Sequence, residues 1–87
     1  MGIDMDEALT TAHDFSFQNM PNLATDELCG CFYCLEIFHP REIVESVDDY
    51  GVATALCPYC GIDSVIGESS GCPITRDFLR KMHDRWF

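Results

Sequence analysis

The stretch Cys57-Pro58-Tyr59-Cys60-Gly61, read together with Cys31-Phe32-Tyr33-Cys34, decides how this chain folds. Each is a Cys-x-x-Cys pair, and 22 residues separate Cys34 from Cys57. Two intervening residues let both sulfurs of a pair face one ion. Two such pairs at this separation have the ligand pattern of a structural zinc site. The loop between paired ligands must turn its backbone amides toward the sulfurs. Gly61 supplies a positive φ without a Cβ clash, and Pro58 pre-sets the first φ of the loop.

The flanking residues predict strands. Val52-Ala53-Thr54-Ala55-Leu56 is a β-prone run leading into Cys57, and Ile62 to Gly67 reads as its return strand. Strand, Cys-Pro-Tyr-Cys-Gly, strand is the hairpin of a zinc ribbon or rubredoxin-like core. On the other side of the first pair, Leu35 to Phe38 reads as a short strand. His39 to Val44 reads as a turn in which Pro40 starts one helical turn. Ser46 to Gly51, acidic and ending in Gly, reads as a connecting loop.

Helices are expected at both ends. Met5, Ala8, Leu9 and Ala12 share one face of a helix over 4–13, with Asp4 as its N-cap. Pro21 should break it, and 22–28 has the pattern of another turn or two. Near the C-terminus Thr75 is an N-cap candidate, and Ile74 can staple onto Leu79. Phe78, Leu79, Met82 and Trp86 line one face of a helix over 76–86. The expected architecture is therefore a small α/β zinc-binding domain. Residues 1–28 form an N-terminal helical segment packed on the core, and residues 29–87 form the ribbon-like part with its C-terminal helix, in one folding unit.

Length and charge narrow the function. At 87 residues the chain can bury only a thin core, which usually requires a staple. The N-terminus is acidic where a secretory signal would be basic, so a reducing cytoplasm is expected, where such cysteines hold metal rather than disulfides. Met1-Gly2 resembles a myristoylation start, but Asp6 stands where Ser or Thr is required. No apolar run is long enough to cross a membrane. The formal charge is −10; residues 1–70 carry 13 acids against Arg41 alone, while residues 71–87 carry four bases against two acids. Phosphate recognition rests on Lys and Arg, so the acidic body opposes nucleic-acid binding.

The remaining chemistry-bearing residues each have a bland reading beside a sharper one. Cys29 is a buried bystander or an alternative ligand, and Cys72 is a free thiol. His39 stands at a turn from which it could approach the first pair, His13 is expected in solvent, and His83 on the last helix is expected as a boundary side chain between core and solvent. Iron is the minor variant for the four thiolates, since ligand chemistry alone does not exclude it. Cys57-Pro-Tyr-Cys60 is also the active-site string of glutaredoxins, which opens a redox reading with Cys57 as a low-pKa nucleophile and Cys29 or Cys72 as resolving thiol. That reading needs a helix after Cys60, which Gly61-Ile62-Asp63-Ser64-Val65 does not favour. Tyr33, Tyr59 and Phe87 are candidates for a partner-binding patch. Arg76, Arg80, Lys81 and Arg85 form either a solvated helix face or a surface that meets the acidic body of a second copy in a homo-oligomer.

Three segments resemble a family of small bacterial cytoplasmic proteins: Cys29 to Ile43, Ala55 to Gly71 and Pro73 to Phe87. The resemblance covers roughly residues 29–87 and implies a bacterial cytosolic source and a zinc site, but no activity. The combined expectation is a non-enzymatic zinc-stabilised module that binds another protein, with Cys31, Cys34, Cys57 and Cys60 as the metal ligands and no catalytic residue.

Overall fold

Thr75 accepts a hydrogen bond from the Phe78 amide at 3.2 Å, and the chain turns into the helix that closes the structure. The computed structural model describes residues 4–87, so Met1-Gly2 lies outside the described residues. In chain order the elements are α1 (Met5–Asp14), α2 (Met20–Leu23), β1 (Cys29–Cys31), β2 (Ile37–Phe38), β3 (Ser46–Asp49), β4 (Val52–Ala55), β5 (Val65–Gly67) and α3 (Arg76–Trp86). Single 3-10 turns at Pro40–Glu42 and Glu68–Ser70 connect them.

The terminal helices fall within a residue of their expected bounds. α1 buries Leu9 and Ala12, and α3 buries Phe78, Leu79 and Met82. These side chains meet Phe32, Ile66 and Ile74 in one apolar cluster. Asp4 occupies the N-cap position of α1, but its side chain caps nothing. The second helix differs from expectation. It starts before Pro21 rather than after it, because proline in the first helical turn lacks only an N–H that would be unpaired anyway.

Two antiparallel sheets hold the cysteine pairs. The first has the order β2-β1-β5, with Cys29 opposite Phe38 and Gly67, and Cys31 opposite Val65. The second pairs β3 with β4, Ser46 opposite Ala55 and Asp49 opposite Val52. The expected hairpin of 52–56 with 62–67 does not form, because both strands pair elsewhere. β4 is taken by β3 through a two-residue turn in which Tyr50 and Gly51 have φ of 55° and 89°. Two consecutive positive φ values match the right-handed twist of the strands. Residues 46–49, expected as loop, are therefore a strand.

Asn19 joins the two sheets. Its side chain is 1% exposed, donates to the Val65 carbonyl at 2.7 Å and accepts from the Ala55 amide at 2.9 Å. Beside it, the Gln18 amide donates to Thr54 Oγ1 at 2.8 Å. At Gly30 in β1 a Cβ would stand 2.7 Å from Leu79 Cδ1, so the absence of a side chain there lets α3 lie close on the sheet.

Candidate metal centre

The two cysteine pairs are held by the same backbone device. Cys31 ends β1, and the Leu35 amide returns to the Cys31 carbonyl at 2.8 Å. The Gly61 amide returns to the Cys57 carbonyl, also at 2.8 Å. The Cys31 amide donates to Glu36 O at 3.0 Å and the Cys57 amide to Ile62 O at 2.9 Å. Each pair is thus a tight knuckle with its sulfurs turned inward, among Leu23, Phe38, Ala55 and Val65.

The knuckles bring Cys31, Cys34, Cys57 and Cys60 together, with all four Sγ atoms within 4.8 Å of one another. Cys31 Sγ lies 3.6 Å from Cys60 Sγ, and Cys34 Sγ lies 3.6 Å from Cys57 Sγ. Disulfide sulfurs would be about 2 Å apart. A tetrahedron of thiolates about 2.3 Å from a central ion has edges of about 3.8 Å. These two sulfur pairs stand near the second spacing, and the four sulfurs together can hold a metal ion. Cys31 and Cys57 are buried, while Cys34 and Cys60 are partly exposed.

Donors converge on the sulfurs. The Tyr33 amide is 3.3 Å and the Cys34 amide 3.5 Å from Cys31 Sγ, and the Tyr59 amide is 3.4 Å from Cys57 Sγ. The hydroxyl of buried Ser64 lies 3.0 Å from Cys31 Sγ. Burial acts to raise the Cys31 thiol pKa, but the hydrogen bonds with Ser64, Cys34 and Tyr33 outweigh it and hold the value below the ordinary one. Burial pushes Cys34 up, and Cys60 up to about 11. Such donors orient ligands and stabilise the thiolate form that binds metal. Ser64 escaped the sequence reading; its only signal is a polar side chain between Ile62 and Val65.

Other candidates stand apart from the four sulfurs. Cys29 is fully buried, its Sγ lies 3.3 Å from the Phe38 carbonyl, and burial drives its pKa up to about 12. His39 caps the 3-10 turn instead of approaching the first pair: its Nδ1 accepts from the Arg41 amide at 3.0 Å. Cys72 is half-buried near Ala8, with Sγ 3.8 Å from that carbonyl. His13 is stacked on Trp86 at 4.4 Å rather than standing in solvent.

The candidate patch divides in two. Tyr33 packs edge-on against Phe87 at 4.8 Å, whereas Tyr59 packs on Phe38 at 5.5 Å and donates its hydroxyl to Glu42. In the basic set, Arg76 pairs with Glu36, Lys81 with Asp77, and Arg85 with Asp6. No helix starts directly after Cys60; residues 61–64 are irregular and lead into β5. The four-cysteine arrangement as a whole fits a structural or a redox role. Among the described residues no helix is long and apolar enough to cross a membrane.

Comparison with protein-family models, with curated proteins and with solved structures returned no match, so the chemistry of the site is read from its own geometry.

Proposed function

We propose that Cys31, Cys34, Cys57 and Cys60 hold one structural zinc ion, and that the chain is a non-enzymatic zinc-stabilised module that binds another protein. The observation that carries the metal assignment is the convergence of all four Sγ atoms within 4.8 Å. Four thiolates fill a tetrahedral shell and leave no position for water or substrate, as in structural rather than catalytic zinc sites. Held there, the ion would tie the first knuckle, at the end of β1, to the second knuckle, beside the pairing of Cys31 with Val65 in β5. Its binding contributes on the order of 10 kcal/mol to folding, a large share for so small a core. A reducing, cytoplasmic setting would keep the thiols available.

Exposed apolar side chains support protein binding. Val44 is 81% exposed, Tyr50 93%, Tyr59 55% and Phe87 58%. The acidic surface argues against nucleic acid as the ligand. The redox alternative, with Cys57 and Cys60 as the exchanging pair, lacks the helix N-terminus that depresses a nucleophilic thiol in such enzymes.

Native mass spectrometry of the purified chain, with thiol titration before and after chelation, tests the metal assignment. One zinc per chain, one readily reactive thiol (Cys72, since Cys29 is fully buried) rising to six, and loss of structure on chelation are expected. Iron in place of zinc, or six freely reactive thiols in the untreated protein, would overturn it.

A further inference from the structure

The β3–β4 hairpin has one covered edge and one open edge. Glu45 and Leu56 continue the ladder, since the Leu56 amide donates to the Glu45 carbonyl at 3.0 Å. In an antiparallel pair the bonded positions alternate, so Val47 and Asp49 also bond across to β4. The N–H and C=O groups of Ser46 and Asp48 then point away from the hairpin. Among the described residues nothing bonds to them, and both residues are exposed. The outer edge of β4 is different: Asn19 takes the Ala55 amide there, and the Gln18 amide meets the neighbouring Thr54 hydroxyl.

We infer that the free edge of β3 is the docking site for a partner and that it receives an extended basic segment as an added strand. The inference deepens the protein-binding reading above and rests on it. Main-chain hydrogen bonds to Ser46 and Asp48 would supply the pairing, and neighbouring side chains would select the segment. Those neighbours are Glu45, Asp48 and Asp49 beside the exposed Val44, Val47 and Tyr50. The same acids disfavour a second copy, because edge-to-edge pairing would bring like charges together, as guarded edges do. They attract lysine and arginine. Val44 and Glu45 also border a cleft of about 300 Å³ with Leu56, Pro58 and Tyr59, so a strand on β3 can extend toward the second knuckle.

The test uses the metal-loaded full chain and the peptide acetyl-(Lys-Val)4-amide, followed by amide NMR and hydrogen exchange. Binding should slow exchange at the Ser46 and Asp48 amides by about tenfold or more, and it should weaken as salt rises. N-methylation of the four central peptide residues, which removes donors but keeps the charges, should lower affinity about tenfold. The E45Q/D48N/D49N variant should lose affinity to a similar degree, and acetyl-(Glu-Val)4-amide should not bind. Equal binding of the N-methylated peptide, or no binding of the first peptide, would overturn the inference. So would edge protection that grows with protein concentration alone, which would make a second copy the occupant. Binding that maps instead to Tyr33 and Phe87 would overturn the edge assignment while leaving the protein-binding reading in place.

Discussion

Leu35 and Gly61 occupy equivalent positions, each one residue after the second cysteine of its knuckle, with φ of 67° and 80° and each amide 2.8 Å from the first cysteine's carbonyl. One knuckle uses glycine for the left-handed residue, and the other holds a leucine there at a conformational cost. A Cβ at Gly61 would meet nothing within 4 Å, so Gly61→Ala tests the backbone term alone. We expect the metal-loaded variant to lose about 1 kcal/mol in urea denaturation, and Gly61→Asn to lose less. Equal stability of the alanine variant would mean that the knuckle tolerates another backbone geometry.

That pair also marks what was legible in the amino-acid sequence. The four cysteines, the glycine after Cys60 and the amphipathic face of α3 carry local chemistry, and each stands where its residues imply. Leu35 carries no such sign, because nothing local distinguishes a leucine forced into positive φ. β3 was hidden by Asp48 and Asp49, poor strand formers that sit on an exposed edge. The β-prone runs on both sides of the second knuckle were visible as strands, but pairing is a tertiary choice. β3 and β1 compete for them and win. Asn19, polar and next to Met20-Pro21, reads as loop until the two sheets close around it.

Loss of a single metal ligand should divide the six cysteines. Cys31→Ser or Cys57→Ser should abolish stoichiometric metal binding and leave the chain largely unfolded by circular dichroism. Cys29→Ala and Cys72→Ser should keep one metal per chain, since both sulfurs lie outside the four-sulfur set. Removing Cys29 still opens a small void in a fully buried position, so a loss of about 1 kcal/mol is expected there. Retained metal in the Cys31 variant would indicate that Cys29 can replace it.

The sheet clasp predicts a larger effect than its size suggests. Asn19→Ala leaves both the Ala55 amide and the Val65 carbonyl without their partner in a buried region. An unsatisfied buried group costs about 1–3 kcal/mol, so the variant should lose about 3 kcal/mol. Metal stoichiometry should persist, because the clasp touches no sulfur. A loss below about 0.5 kcal/mol would show that water or a backbone shift takes over both bonds.

Close contact of β1 with α3 makes Gly30 sensitive to a single methyl group. A Cβ there would press on Leu79 Cδ1 at 2.7 Å and approach Ile74 and Glu36 at 3.3 Å. Leu79 is fully buried and has little room to yield. Gly30→Ala should therefore destabilise the chain by about 1–3 kcal/mol, read as a lowered urea midpoint. The double variant Gly30→Ala/Leu79→Val should recover part of the loss. No recovery would place the strain in the backbone rather than at that side chain.

The contact between Tyr59 and Glu42 ties the tip of the second knuckle to the 3-10 turn and gives a pH signature. The Tyr59 hydroxyl, and then the His39 amide, hold the Glu42 carboxyl below its ordinary value of 4.5. The same bond raises the Tyr59 phenol above 10.0. Because the folded value of Glu42 lies below the unfolded one, its contribution is present above about 4.5 and is lost as pH falls through the depressed folded value. Tyr59 behaves in the opposite sense: its contribution is present below 10.0 and is lost as pH rises through the raised folded value. Carboxyl NMR of Tyr59→Phe should show the Glu42 midpoint moving up toward 4.5, with the His39 amide bond accounting for what shift remains. A midpoint identical in the two proteins would show that the phenol does not set the carboxyl's titration, and the link between knuckle and turn would then rest on ring packing against Phe38 alone.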